Sequence, residues 1–207
     1  MRFGSWTLTM LCVAGTGSAQ DSGTLRRIQL EVPTTIDGIL CAPTKKPTTF
    51  LYASGGLESC ALASDADFFG HNLPAGSWVT LTELGRPRHV WLSRDTWLQG
   101  HRCKGTGRGG WSTAFYPSGR LELCFLATEE VIAGVPCRKG NFWGEITGGV
   151  SVIFYESGQL RECGAARGFT LTGRRYRSHE RVMLDVDGKP RMEPVAGLAR
   201  HHAGSSL

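Results

Sequence analysis

Phe115-Tyr116-Pro117-Ser118-Gly119-Arg120-Leu121-Glu122-Leu123-Cys124 returns later in the chain as Phe154-Tyr155-Glu156-Ser157-Gly158-Gln159-Leu160-Arg161-Glu162-Cys163. A third copy reads Leu51-Tyr52-Ala53-Ser54-Gly55-Gly56-Leu57-Glu58-Ser59-Cys60. Each copy places an aromatic or aliphatic pair before a Ser-Gly turn and alternating apolar residues after it, which reads as a β-hairpin. Glycine at the turn supplies a positive φ at no steric cost. Weaker copies surround Gly85 (Leu81-Thr82-Glu83-Leu84-Gly85-Arg86-Pro87) and Gly188 (Leu184-Asp185-Val186-Asp187-Gly188-Lys189-Pro190). The five turn glycines lie 30, 34, 39 and 30 residues apart. Self-similarity at that period marks an array of supersecondary units, each burying its apolar face on its neighbours. The expected fold is all-β, a stack of about five antiparallel β-hairpin repeats, with closure into a barrel left open.

A second phrase runs between these hairpins: an apolar residue, any residue, Gly, two residues, then Cys. It occurs as Ile36-Asp37-Gly38-Ile39-Leu40-Cys41, Leu98-Gln99-Gly100-His101-Arg102-Cys103 and Ile132-Ala133-Gly134-Val135-Pro136-Cys137. Two copies end in Leu73 and Tyr176 instead. Where this late position is Cys, the next early position, five residues after a turn glycine, is also Cys. Where it is Leu73, the next early position is Val90; where it is Tyr176, the next is Glu193. Cysteines gained and lost together are those of a bonded pair. The predicted bridges are therefore Cys41–Cys60, Cys103–Cys124 and Cys137–Cys163. Each would close a loop of about 20–27 residues and contribute on the order of 3 kcal/mol. The spacing contains no CxxC pair and suits no tetrahedral zinc pattern, so no metal and no cofactor is expected.

The N-terminal residues read as an address. Met1-Arg2, the apolar run Phe3 to Val13 and the small residues Gly17-Ser18-Ala19 form a secretory signal peptide over 1–19. A lipoprotein reading at Cys12 meets Leu11 where a small residue is required. Residues 20–27 read as a flexible lead-in, 28–192 as the repeat domain and 193–207 as a disordered tail. No other run is long and apolar enough to span a bilayer. Six cysteines outside the signal, an even number, suit an oxidising compartment, so the chain is expected to be secreted or periplasmic. Secretion sets nucleic acid aside as a partner.

The chain carries 18 Arg against 5 Lys and a formal net charge of +5, with its densest basic group at Arg174-Arg175-Tyr176-Arg177 near Arg181. Gly105, Gly107 and Gly110 satisfy G-x-G-x-x-G, but the next residues, Trp111 to Tyr116, look like strand and not the helix a dinucleotide site needs, so a flexible loop is expected. His71 and His101 directly follow repeat glycines and belong to the framework; no Gly-x-Ser-x-Gly elbow is present. No catalytic residue is expected. Among the tryptophans outside the signal, Trp111 and Trp143 stand in or beside glycine-rich insertions, where a flat ring could face a sugar or a protein.

The phrase Phe-Tyr-x-Ser-Gly-x-Leu resembles MORN-type repeats and the related tandem hairpins of bacterial antitoxin-like proteins, in which an aromatic, a turn glycine and a following apolar residue recur. The resemblance covers about half of the chain beyond the signal. The Tyr-x-Gly-x-Trp signature of that family is missing here, and the cysteine pairs are foreign to it. What the resemblance implies is stacked antiparallel hairpins with scaffolding or phospholipid-surface roles. The expected function is a non-catalytic binding module for a protein partner. Two alternatives stand beside it: a binder of glycan or anionic lipid, and a hydrolase with an unrecognised site. The candidate binding residues are Trp111, Trp143, Arg108, Arg174, Arg175 and Arg177.

Overall fold

The computed structural model describes residues 25–46, 49–140 and 151–191, and every regular element within them is a strand. Numbered in chain order, ten strands form one antiparallel sheet: β1 (Arg26–Ile28), β4 (Thr49–Leu51), β5 (Leu57–Ala61), β8 (Trp78–Leu81), β9 (Pro87–Trp91), β12 (Thr113–Phe115), β13 (Leu121–Phe125), β16 (Ser151–Phe154), β17 (Leu160–Gly164) and β20 (Arg181–Met183). The other ten form five separate hairpins: β2 (Thr34–Ile36) with β3 (Ile39–Cys41), β6 (Ala66–Phe68) with β7 (His71–Leu73), β10 (Thr96–Leu98) with β11 (His101–Cys103), β14 (Glu130–Ile132) with β15 (Val135–Cys137), and β18 (Phe169–Leu171) with β19 (Arg174–Tyr176). The strand order of the sheet starts at β1 and ends at β20, which do not pair, so it is open. The all-β hairpin stack read from the sequence is thus the architecture observed. Arg26 and Arg27 already belong to β1, paired with Leu51 and Phe50, so the sheet starts inside the expected lead-in.

The two repeated phrases build two kinds of hairpin because their turns differ. At each Ser-Gly-type turn the glycine has φ between 68° and 93°, and its N–H donates to the residue three before it, as Gly119 does to Tyr116 O at 2.9 Å. The ladder slips by one residue at the same place in four of these hairpins, between Phe50 and Leu51, Thr80 and Leu81, Ala114 and Phe115, and Ile153 and Phe154. A three-residue loop with a glycine bulge does this. In the second phrase both central residues have positive φ, for example Asp37 at 48° with Gly38 at 79°. That is the tight two-residue turn that matches strand twist.

The small hairpins cover one face of the large sheet, and the core lies between them. On that face Cys60 sits opposite Val79, Val79 opposite Val90, and Val90 opposite Thr113; the row continues with Cys124 opposite Val152 and Cys163 opposite Val182. From the small hairpins come Phe68, Leu73, Leu98, Cys103, Val135, Cys137 and Tyr176, all buried. Each late cysteine is also bridged to the sheet just beyond the early one: Cys41 with Leu62, Cys103 with Leu126, Cys137 with Ala165.

Cys41–Cys60 and Cys137–Cys163 are bonded as the register requires. The third bridge is a correction: Cys103 and Cys124 are buried free thiols. They are partners nonetheless, because the Cys103 thiol is hydrogen-bonded to Cys124, and burial first, then that bond, pushes it well above the usual thiol range. The pairing was legible; the covalent link is absent.

Adjacent sheet hairpins are clamped by tyrosines standing at the turns. Tyr52 Oη donates to Leu81 O at 2.7 Å, Tyr116 Oη to Phe154 O at 2.9 Å, and Tyr155 Oη to Leu184 O at 2.8 Å. The Gly85 turn has Thr82 instead, whose Oγ1 accepts from Arg86 N within the same turn. There the junction to the next hairpin is held from the other layer: His71 Nε2 donates to Gly119 O at 2.8 Å, and Phe69 Cβ lies 3.1 Å from where a Gly119 Cβ would stand.

A non-reduced peptide map is expected to link 41 with 60 and 137 with 163, and any bond made by Cys103 to go to Cys124; a Cys103 link to any other cysteine would break the register. Tyr116→Phe removes one inter-repeat hydrogen bond and is expected to cost about 1 kcal/mol in urea denaturation, whereas an unchanged midpoint would show the clamp to be idle.

Candidate binding surfaces

The first glycine-rich insertion is packed, not flexible. A Cβ on Gly105 would lie 2.1 Å from the Arg94 carbonyl carbon, and one on Gly110 would lie 1.9 Å from Thr106 Oγ1. These glycines let the chain press against its own backbone. Gly107 N donates to Leu92 O at 2.8 Å, which pins the loop to the end of β9. β12 comes directly after it, so the G-x-G-x-x-G run opens no helix.

This packing puts Trp111 inside, which corrects its reading as an exposed platform. It is 8% exposed and stacked on Phe125, with centroids 5.0 Å apart and planes at 20°. Lys104 Nζ lies 5.3 Å from its centroid, and its backbone N–H donates to Thr106 Oγ1 at 2.9 Å. Arg108 is used in the same way: its guanidinium carbon stands 3.9 Å over the Trp78 ring, and burial lowers its basicity. Both residues therefore close the loop-side corner of the sheet face that the small hairpins leave uncovered. Trp143 lies outside the described residues.

The basic group near β19 is largely neutralised. Arg174 pairs with Glu180 at 3.3 Å while lying 4.6 Å over the Tyr176 ring, and Arg181 holds Glu162 through two bonds of 2.6 and 2.7 Å. The Glu180 carboxyl sits below its ordinary range, chiefly because it accepts from Arg177 N and then because Arg174 is beside it. Arg175, Arg177 and Arg181 are the exposed members.

The histidines support the fold. His71 holds Gly119 O; His101 stacks on Phe154 at 4.6 Å and pairs through Nδ1 with Glu130 at 2.9 Å. His89 faces the uncovered side of the sheet beside Trp91, with an Nδ1 that has no hydrogen-bond partner among the described residues, and desolvation followed by the nearby Arg88 charge lowers its pKa. Among the described residues no group of three His, Cys, Asp or Glu is placed to hold a metal ion.

The surface that sequence reasoning missed is the outward face of the small hairpins. Each three-residue strand buries its last residue or holds it at the layer boundary, while its middle residue points away from the sheet. The middle residues face each other across the hairpins as Thr35 with Leu40, Asp67 with Asn72, Trp97 with Arg102, Val131 with Pro136, and Thr170 with Arg175. All but Pro136 are exposed. Three apolar side chains stand in this row, Leu40 at 37%, Trp97 at 67% and Val131 at 66% exposure. The signal stood in and beside the second phrase: the variable position three before its glycine and the one two after it are these outward pairs.

The chain matches no known protein family, no curated protein and no solved structure.

The two tryptophans are expected to separate cleanly in stability. Trp111→Ala empties a stacked, buried site and should cost about 3–5 kcal/mol, while Trp97→Ala should stay within about 0.5 kcal/mol of the parent. Equal losses on chemical denaturation would show that Trp111 is not the internal member of the pair.

Proposed function

We propose that this chain is a non-catalytic binding module of the extracellular or periplasmic space, and that its partner is a protein engaged through the outward face of the small hairpins. The observation that carries this is the row of outward pairs. Nine of its ten positions lie exposed, Pro136 being buried, and three of them hold apolar side chains in water. Side chains kept there without a structural duty are what a contact surface needs.

Several features support the setting. Two disulfides fit an oxidising compartment, in keeping with the secretory leader read at residues 1–19. Among the described residues no helix is long and apolar enough to cross a membrane. The likeness of the hairpin phrase to MORN-type repeats supports a scaffolding role. The anionic-lipid alternative is weakened, because Arg174 and Arg181 spend their charge on Glu180 and Glu162. The hydrolase alternative has little to draw on, since the His71 and His101 rings are bound to the framework.

The test is photo-crosslinking of the full chain in its own extracellular milieu, with the probe at position 131, 40 or 84. Leu84 is 87% exposed at the Gly85 turn and serves as a control outside the row. One protein species is expected from positions 131 and 40 and none from 84. Val131→Asp should lower the yield from position 40 about tenfold. Equal labelling from all three positions, or none from 131 and 40, would overturn the proposal.

A further inference from the structure

Trp97 is 67% exposed, and among the described residues no cation lies over its ring. Trp78 lies under Arg108, Trp111 under Lys104, Tyr155 under Arg161 and Tyr176 under Arg174. Trp97 has a cation directly across the hairpin, Arg102, yet that guanidinium is turned to Asp95 at 3.5 Å. Among the described residues no ring or cation stacks on the Trp97 indole.

Beside this open ring is a cavity of about 280 Å³ lined by Asp65, Asn72, Arg94, Asp95 and Thr96 together with Trp97. Its polar groups are held in place from behind. Asp65 Oδ1 accepts from Ala75 N at 2.8 Å and Oδ2 from Arg94 at 3.0 Å; Asp95 Oδ1 accepts from Gly105 N at 3.0 Å. Each of these carboxylate oxygens retains a lone pair. The Asn72 amide has no hydrogen-bond partner among the described residues, leaving two donors and an acceptor on offer.

We infer that this cavity is a subsite for a neutral pyranose, with the apolar face of the sugar ring on the Trp97 indole and its hydroxyls on Asn72, Asp65 and Asp95. The inference rests on reading the outward face of the small hairpins as the contact surface, and it names the chemistry recognised there. Size argues for one ring: the volume sits just below the ~300–1,000 Å³ usual for small-molecule sites. Charge argues for a neutral ligand, since two carboxylates stand against the guanidiniums of Arg94 and Arg102 and cancel. Shape argues for a polyol, since a flat apolar ring bordered by fixed donors and acceptors matches a molecule with one apolar face and a rim of hydroxyls. The ring can come from a free polysaccharide or from the glycan of a protein partner.

The experiment is titration calorimetry of the full chain with chitotetraose, cellotetraose, maltotetraose and mannotetraose at millimolar concentrations. At least one is expected to bind, with Trp97→Ala weakening it by about tenfold or more. Trp97→Phe should keep most of the affinity, and Asn72→Ala should lose it severalfold. If none of the four binds, or if Trp97→Ala binds as the parent does, the sugar inference falls, while crosslinks from position 131 would leave the protein reading standing. If a sugar binds through Trp97 but no protein crosslinks, the protein reading falls and the subsite stands. Where both hold, deglycosylation of the captured protein separates the sources: lost capture assigns its glycan, and retained capture a free polysaccharide.

Discussion

A three-residue strand pair cannot hold itself together in water, and the small hairpins depend on one contact each: the last residue of the second strand against the inner row of the sheet. That residue is Cys41, Leu73, Cys103, Cys137 or Tyr176 in turn, and all five are buried. Isolated two-stranded hairpins are marginal at best, so the anchor must be either covalent or large and apolar. In the first and fourth hairpins it is a disulfide. In the second it is the fully buried Leu73, in the same core as Val90, and in the fifth the ring of Tyr176 stacks on Phe169 at 5.0 Å. The third holds a thiol pair in the same place. One geometric requirement has thus been met by three kinds of chemistry, which is why the cysteines come and go in pairs while the fold does not change.

The same requirement explains the turns. A hairpin that must drop its third residue onto a neighbouring sheet has no room for a long loop, so both central residues take positive φ even when only one is glycine. Phe69, Ala133 and Thr172 all do so, at 53°, 50° and 47°. Such conformations are unfavourable for residues with a Cβ, Thr172 most of all because it is β-branched. Phe69 at least gains something in return, since its side chain packs edge-on against Phe68 at 5.0 Å and reaches the Gly119 turn. Local strain here is tied to a contact between layers.

Repetition decided which features were legible in the chain alone. Hairpins, turn glycines and cysteine partners could be read because each position is constrained in every copy, and constraint in every copy makes a pattern visible without relatives. The tyrosine clamp was less visible, because Thr82 breaks the series and a hydrogen bond to a backbone carbonyl leaves no trace in the acceptor's identity. The first glycine-rich insertion was misread for the opposite reason. Gly105, Gly107 and Gly110 look like freedom, yet they are small so that the loop can lie against Arg94 and Thr106, and the packing they permit conceals Trp111. Glycine composition alone does not distinguish a mobile loop from a compressed one.

Trp97 was overlooked by the same logic that revealed the fold. It occupies a position that varies among copies, as Thr35, Asp67, Trp97, Val131 and Thr170, and a position free to vary carries no framework signal. In a repeat array that freedom is informative in itself. Residues that build the stack must match from copy to copy, whereas residues that meet something outside it need only suit their own spot. A tryptophan that is large, apolar and left in solvent while Arg102 turns away to Asp95 is not explained by the needs of the fold. The stack fixes where such a side chain stands, and its surroundings of paired charges and a free amide set what could usefully cover it.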